Sequence, residues 1–254
     1  MSNVHILSDP APFAEKTTAY LTVRDREGRV LTNEQVLALP RFFPVSEGHQ
    51  RLQREWRMRK HSFARFQKHL YRRYAKKPLE ILDLGCGNGW MSLNLARRPG
   101  TNIWAVDVNL PELEQGARLA AASGLTNVRF VFADFLKNTI PEKKFDLVVL
   151  AASIQYFPDF AELYMAAKGV LKPGGIIHIL DSPFYRTQEQ CRAARAATGA
   201  YYASIGVPEM TNWYHHHLWQ DVKKMGGKNL NSGMHTRILQ HVHWLPPFPW
   251  VLFE

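Results

Sequence analysis

Residues 79–91 read LEILDLGCGNGWM and change character in the middle of the stretch. A run of Leu and Ile ends at Asp83, which predicts a buried β-strand. Glycine then takes every second position, at Gly85, Gly87 and Gly89. Backbone without side chains at the end of a strand lets a ligand approach closely, and the N–H groups that start the next helix would face the same place.

The spacing of these glycines separates two classes of ligand. The dinucleotide fingerprint G-x-G-x-x-G has two residues between its second and third glycines, whereas Asn88 alone separates Gly87 from Gly89. The pattern therefore disfavours a nicotinamide cofactor. For the glycines considered alone, a tight strand-to-helix turn without any ligand remains the alternative.

Outward from this stretch, apolar strands alternate with helices. Near-continuous apolar strands of this kind predict an α/β fold, with a doubly wound, mostly parallel sheet covered by helices on both faces. Strands are predicted at 79–85, 102–108, 128–134, 145–153 and 175–182, and helices at 91–100, 111–124, 158–171 and 187–206. Later strands are predicted within 236–245, followed by a Pro-bent tail.

Two carboxylates follow neighbouring strands of this predicted sheet. Asp107 ends the second strand, where a carboxylate can accept both hydrogen bonds of a ribose diol. Asp134 ends the third strand and could accept from an exocyclic amine, while the adjacent ring of Phe135 packs on a purine. Because the carboxyl ends of parallel strands meet at one edge of a sheet, these residues and the glycines predict a nucleoside site.

Five motifs in this order, ILDLGCGNG, AVDV, VFADF, FDLVVLAASIQYFPD and VLKPGGIIHIL, resemble the class I S-adenosylmethionine-dependent methyltransferases. The resemblance covers residues 79–181. It implies a Rossmann-like sheet of seven strands, the last to enter being antiparallel, with S-adenosyl-L-methionine over the carboxyl ends of the first strands. The cofactor-binding residues that it implies are Asp83, Gly85, Cys86, Gly87, Asn88, Gly89, Asp107, Val108, Asp134, Phe135, Ala151 and Ser153.

The resemblance also implies a role for each group. The glycine turn would approach the methionine half of the cofactor, with Asp83 nearby through water. Asp107 would hold the ribose hydroxyls, and Val108 would pack on the adenine. Asp134 and its neighbouring ring would take the adenine amine and edge, and the segment from Ala151 would line the pocket where the methyl group faces its acceptor.

On the acceptor side, Gln155 and Tyr156 are the candidate catalytic residues, because SIQYF follows the fourth strand into the cleft. They could orient a hydroxyl or an amine; packing of Tyr156 on the next helix is the alternative. His61, with His49, is a candidate general base. The motifs NPPY, DPPY and Pro-Cys are absent after this strand, so the pattern resembles the small-molecule branch of the family.

Residues 51–77 carry the whole charge excess of the chain, with 11 Lys and Arg against one acid, Glu55. Aromatic residues recur there at helical spacing, which predicts an amphipathic helix ending before Pro78. Three interpretations stay open. The helix could cover the cofactor site with its aromatic face inward, recognise an acidic or phosphorylated acceptor, or bind tRNA or rRNA.

The predicted organisation has two parts. Residues 1–48 form an N-terminal extension with a short hairpin at 20–23 and 30–32, and residues 49–254 form the methyltransferase domain. Within that domain, 51–77 is the basic helix, 79–181 the cofactor-binding core and 182–254 the acceptor-side helices and last strands. The absence of a signal peptide or an apolar span predicts a cytoplasmic protein.

No metal site is predicted, because two cysteines make no zinc motif and three consecutive histidines at 215–217 would fan out around a predicted helix. The sequence therefore predicts transfer of a methyl group to an O or N of a small molecule. An RNA methyltransferase and a catalytically silent cofactor-binding module are the alternatives.

Overall fold

The structure, a computed structural model, describes residues 4–41, 50–75, 77–137, 140, 144–233, 241 and 247–254. Strands lie at His5–Ile6 (β1), Leu79–Leu84 (β2), Thr101–Asp107 (β3), Val128–Phe132 (β4), Phe145–Ala151 (β5), Leu171–Leu180 (β6), Lys228–Asn229 (β7) and Val251–Phe253 (β8). Helices lie at Ala14–Arg26 (α1), Asn33–Ala38 (α2), Gln50–Tyr74 (α3), Trp90–Leu95 (α4), Leu110–Ala122 (α5), Phe160–Val170 (α6), Gln188–Ser204 (α7) and Trp219–Lys224 (α8).

The strands form one sheet in the order β1-β4-β3-β2-β5-β6-β8-β7. Strands β1 to β6 are parallel to their neighbours, and β8, the last to enter, is antiparallel to both β6 and β7. The predicted doubly wound, mostly parallel fold is therefore confirmed. The described sheet has eight strands rather than seven, because His5 and Ile6 of the N-terminal extension pair with the edge of β4.

Helices cover both faces of this sheet. Ile81 and Leu82 point to opposite faces of β2, and both side chains are fully buried. The first packs in the core beneath α3, α4 and α5, and the second packs in the core beneath α6. Burial on both faces explains why the strand sequences are continuously apolar rather than alternating.

Helix α3 confirms the predicted amphipathic helix and places its aromatic face inward. Trp56 and Phe63 are buried, and each makes an edge-on contact with Trp90 at the start of α4, at centroid distances of 5.5 and 5.3 Å. Phe66 packs further along the same face. This arrangement corresponds to the first of the three interpretations of the basic segment. Within the described residues, no helix has the length and apolar character needed to cross a bilayer.

The predicted hairpin in the N-terminal extension is wrong. Residues 20–23 lie in α1, and residues 30–32 lie in the segment between α1 and α2. Ala19 and Val23 are one helical turn apart and are buried together against α7 and the segment after it. Packing of this i, i+4 pair outweighs the strand preference of the Tyr, Thr and Val residues at these positions.

Two predictions for the C-terminal part also need correction. The histidines at 215–217 lie in an extended segment rather than at a helix start, because α8 begins only at Trp219. The last strand, β8, lies in the segment predicted as a tail, where Val251 and Phe253 are buried against β6. Most of residues 236–245, where the late strands were predicted, lie outside the described residues.

A buried histidine couples β6 to α3 and to the C-terminal segment. His178 is fully buried, and its Nδ1 accepts a hydrogen bond of 3.0 Å from the indole N–H of Trp250. Burial, with smaller contributions from His69 and Arg73, lowers the pKa of His178 to about 3. The folded protein therefore keeps this imidazole neutral at a pH where the unfolded chain binds a proton.

We expect this histidine to make folding acid-sensitive. Because the folded-state pKa lies below the unfolded value, stability falls as the pH drops from about 6.5 towards 3, by about 1.4 kcal/mol per pH unit for one proton. Denaturant unfolding of the wild type and of His178→Gln, between pH 7 and pH 4.5, measures this slope. The glutamine can still accept from Trp250, so the variant should show a shallower acid slope; equal slopes would contradict the assignment.

Candidate functional site

A cavity of about 1060 Å³ opens at the carboxyl ends of β2 to β5. Its walls come from the loops after these strands and from α1, α3, α7 and the 3-10 helix Pro208–Trp213. Single-ligand sites commonly occupy about 300–1,000 Å³. The cavity is therefore large enough for a nucleoside cofactor together with a second small molecule.

Asp107, at the end of β3, is held by backbone N–H groups. Its Oδ2 accepts from the N–H of Gly87 at 2.7 Å, and its Oδ1 accepts from Val108 and Asn109 at 2.7 and 2.9 Å. Burial raises the pKa of Asp107, while these three N–H groups oppose the rise. The carboxylate is thus oriented in advance, as expected for a group that receives the hydroxyls of a ligand.

The glycines serve packing as well as access. Gly85 has φ of +73°, and a Cβ there would lie 2.4 Å from the Cβ of Ser153. Gly89 has φ of +71°, and a Cβ there would lie 2.4 Å from the Phe130 ring. Gly87 borders the cavity, where a Cβ would approach only the flexible carboxylate of Glu112. The predicted ligand approach therefore concerns the Gly85–Gly87 part of the turn, while Gly89 starts α4 away from the cavity.

The remaining residues predicted around the glycine turn divide between the cavity and the core behind it. Cys86 and Asn88 border the cavity beside the glycines. Asp83 is buried behind the turn, where its Oδ2 accepts from the Ser92 hydroxyl at 2.6 Å. Burial raises the pKa of Asp83 to about 7. Asp83 therefore links the end of β2 to Ser92 of α4 behind the glycine turn, and it does not form part of the cavity wall.

The structure brings the residues predicted for the purine end together. Val108, Asp134 and Phe135 all border the cavity. The backbone N–H of Asp134 donates to the hydroxyl of Ser8 at 2.8 Å, so the N-terminal segment closes this end. Ala151 and Ser153 border the cavity at the end of β5, and the Ser153 hydroxyl donates to the Leu84 carbonyl at 2.8 Å.

Helix α1 supplies a wall that the sequence analysis missed. Lys16, Thr17, Tyr20 and Arg24 all face the cavity. The hydroxyl of Thr17 donates to the Val108 carbonyl, and the ammonium of Lys16 donates to the backbone carbonyl of Tyr156, both at 3.3 Å. Their spacing is that of one helix face, and this signal was hidden because the segment was interpreted as a hairpin.

The predicted acceptor-side residues lie in a group of tyrosines. The ring of Tyr156 makes edge-on contacts with Tyr20 and Tyr214, at centroid distances of 5.6 and 5.9 Å. Tyr202 makes a similar contact with Tyr214 at 6.0 Å. Gln155 borders the same space, and its buried Oε1 has no hydrogen-bond partner among the described residues. Burial raises the pKa of Tyr156, so its phenol is neutral near pH 7.

Asp181, which follows β6, has the features of a general base, the role for which the histidines were considered. It borders the cavity, and its φ of +53° is unusual for a residue other than glycine. Its Oδ1 is buried without a hydrogen-bond partner among the residues that the structure describes. Burial raises the pKa of Asp181 to about 6, against opposing contributions from Arg59 and Ser62.

His61, one of the two candidate histidine bases, is not brought to this site. His61 is partly buried on α3 and does not form part of the cavity wall, as far as the described residues define it. Burial lowers the pKa of His61, with smaller contributions from Lys60 and Arg57. His49 lies outside the described residues. No group of three or more possible metal ligands is found in the described part of the chain.

Comparison with known proteins agrees with this geometry. A family model described as "Methyltransferase domain" matches residues 75–229, which is more than half of the chain. Methyltransferase phqN of Penicillium fellutanum is 39% identical over 95 residues, which are 37% of this chain and 29% of that protein. Demethylmenaquinone methyltransferase of Thermus thermophilus is 38% identical over 109 residues, which are 42% of this chain and 49% of that protein.

One of the similar solved structures is geranyl diphosphate C-methyltransferase from Streptomyces coelicolor A3(2). It is 14% identical, has a TM-score of 0.54, and the match covers 82% of this chain and 86% of that one. At this identity the likeness shows the fold alone. The chain spans less than half the length of each of the two sequence relatives, so their activities do not transfer to it directly.

The two roles of the glycines can be separated by substitution. We expect Gly89→Ala to destabilise the protein by about 2–4 kcal/mol, from the left-handed backbone and from overlap with Phe130. Gly124→Ala is the matched control, because Gly124 has φ of +66° and no atom within 4 Å of the added carbon. It should cost about 1–2 kcal/mol for the backbone alone. Equal losses in thermal or denaturant unfolding would contradict the packing explanation.

Proposed function

Because the chain belongs to the class I S-adenosylmethionine-dependent methyltransferase family, we propose that it transfers a methyl group from S-adenosylmethionine to an oxygen or nitrogen atom of a small molecule. One observation carries the proposal. A single cavity connects the fixed carboxylate of Asp107 with the group of tyrosines around Tyr156. A nucleoside cofactor and an acceptor can therefore share one cavity.

The chain's own groups fit the cofactor. Oδ1 of Asp107 already accepts two N–H groups, whereas Oδ2 accepts one and keeps a lone pair that can accept from a ribose hydroxyl. Asp134 and Phe135 offer a carboxylate and a ring edge at the purine end. The backbone of Cys86 and Gly87 borders the space between these groups and the methyl-transfer side.

When bound, S-adenosylmethionine supplies a methyl group on a positively charged sulfur, which leaves as a neutral thioether when an acceptor lone pair forms the new bond to carbon. The chain has to hold the acceptor atom in line and exclude water. Positioning of this kind can lower a barrier by about 7–11 kcal/mol. Helix α1, held by Lys16 and Thr17 across the strand ends, forms the cover that such exclusion requires.

An acceptor hydroxyl or protonated amine must also lose a proton. Asp181 is the group we assign to accept it, because this residue borders the cavity, its Oδ1 has no hydrogen-bond partner among the described residues, and its pKa of about 6 leaves the carboxyl ionised at neutral pH. The free Oε1 of Gln155 can accept a hydrogen bond from the acceptor and orient it. His61 is not needed for this step in the proposed arrangement.

The choice of a small-molecule acceptor is supported by the size of the cavity, which has room for one small molecule beside the cofactor. The Thermus relative is also named for a small-molecule acceptor, demethylmenaquinone. The basic helix gives less support to the RNA alternative, since Arg59, Arg65 and Arg73 have partners within the chain. RNA binding through α3 stays an untested prediction, as does cytoplasmic location.

Cofactor binding tests the first half of the proposal. Calorimetry should detect binding of S-adenosylhomocysteine, and Asp107→Ala should weaken it about 100-fold by removing charge-assisted hydrogen bonds to the ribose. Asp25→Ala, an exposed carboxylate on α1, should bind as the wild type does. Thermal unfolding of each variant reports whether it is folded. No binding by the folded wild type would reject both the enzyme and the silent-module interpretation.

The proton-accepting role of Asp181 predicts a pH dependence. For any hydroxyl or amine acceptor that gives turnover in a metabolite panel, kcat should rise with pH through about 6 and then level off, because only the ionised carboxylate accepts a proton. Asp181→Asn should remove this limb and lower kcat by about 10²–10⁴-fold. Ser62→Ala removes a hydrogen bond that lowers the pKa, so it should move the limb to higher pH. An unchanged profile in both variants would exclude the role.

A further inference from the structure

An arginine on the inner face of α1 has no ion-pair partner among the residues that the structure describes. Arg24 borders the cavity, and its Nε is buried without a hydrogen-bond partner in the described residues. Among those residues no carboxylate lies within ion-pairing distance of its guanidinium; its close aromatic neighbour is Tyr20, whose ring centre lies 5.7 Å from the guanidinium carbon. An unpaired buried charge is costly, so a group that persists in this state is expected to serve a ligand.

Two acids, Glu112 and Glu55, interact with Arg24 through space, but neither forms an ion pair with it among the described residues. Glu55 is held by Arg59 at 2.7 Å and by Arg29 at 2.8 Å. Burial by itself would raise the pKa of Glu55, but these two arginines hold that pKa at about 2. The negative charge of Glu55 is therefore already compensated. Burial raises the pKa of Glu112 to about 7, so that carboxyl is protonated in part near neutral pH.

Tyrosine rings surround Arg24 on the acceptor side of the cavity, and they indicate what kind of molecule could bind next to its guanidinium. Its electrostatic neighbours include Tyr20 and Tyr156, which belong to the group of tyrosines on the acceptor side of the cavity. Tyr202 and Tyr214 continue this group towards α7. Rings packed edge to face offer flat apolar surfaces on which a planar ring can stack.

We propose that Arg24 binds a carboxylate of the methyl acceptor and that the acceptor is a planar, ring-containing acid that stacks against the tyrosines. This inference rests on the proposed function and assigns its acceptor class. A guanidinium matches a carboxylate with two parallel hydrogen bonds. Of Arg24, Arg29 and Arg59, only Arg24 has no carboxylate partner among the described residues, and one guanidinium matches the single charge of a carboxylate rather than a phosphate dianion.

Charge balance supports the same assignment. The bound cofactor brings a positive sulfur into a space that already holds an uncompensated guanidinium. Glu55 is paired with Arg29 and Arg59, and Asp107 is held by N–H groups, so an acidic acceptor would supply the ion-pair partner that Arg24 lacks, which a neutral or cationic acceptor would not. The sequence analysis associated an acidic acceptor with the basic helix α3. The structure instead leads us to assign binding of that acid to Arg24 of α1, which lies outside the basic segment.

The test measures ligand binding and does not require knowledge of the natural acceptor. With the protein saturated with S-adenosylhomocysteine, calorimetry compares benzoate, cinnamate and 2-naphthoate with their neutral carboxamides. We expect the wild type to bind at least one acid about 10- to 100-fold more tightly than its amide. Arg24→Gln should abolish that preference, and Arg24→Lys should retain part of it. Arg57→Gln removes an exposed charge from α3 and should leave the preference unchanged.

The affinity for S-adenosylhomocysteine and for 5′-methylthioadenosine separates the remaining outcomes. Arg24→Gln should bind both nucleosides as the wild type does, within about twofold. A loss confined to S-adenosylhomocysteine would show that Arg24 binds the amino-acid end of the cofactor, which would overturn the proposal. A wild type without any acid preference would overturn it as well, whether or not the variant folds. Failure of the wild type to bind S-adenosylhomocysteine would instead reject the proposed function itself.

Discussion

The hydrogen bond from the Gly87 N–H to the carboxylate of Asp107 is the contact on which the site depends. It joins the turn after β2 to the end of β3, across two strands that are neighbours in the sheet. The other oxygen of the carboxylate is fixed by the next two N–H groups of its own chain. A tight turn, a fixed acid and a helix start are thereby held in one place before any ligand arrives, and the cavity is built outward from them.

The cavity wall carries several charged groups that are only partly compensated within the described residues. Asp107, Glu112 and Asp181 are carboxyls whose pKa values burial raises, and Arg24 is a guanidinium without a counter-ion in the described residues. Groups of this kind cost folding free energy in an empty site. Their concentration around one space is the pattern expected of a functional site, because a ligand with complementary charges can recover that free energy as binding.

Helix α1 shows why part of the site escaped the sequence analysis. Its residues with strand preference were interpreted as a hairpin, and the error also hid the face of α1 that borders the cavity. The burial of Ala19 and Val23 against Tyr202 of α7 favours a helix over a hairpin. This contact joins segments that are far apart in the sequence. Asp181 was overlooked for a similar reason, since its strained backbone and unpaired oxygen exist only in the folded chain.

The sequence by itself determined the parallel sheet, the glycine turn and the acids that follow successive strands, because these depend on local periodicity and on spacing along the chain. It also gave the inward face of α3, whose aromatic residues repeat at helical intervals. Only the tertiary structure decided which side chains meet across the cavity, which carboxyls have raised pKa values and that Arg24 has no ion-pair partner among the described residues. Those properties depend on burial and on distances between residues far apart in sequence, and no local pattern encodes either.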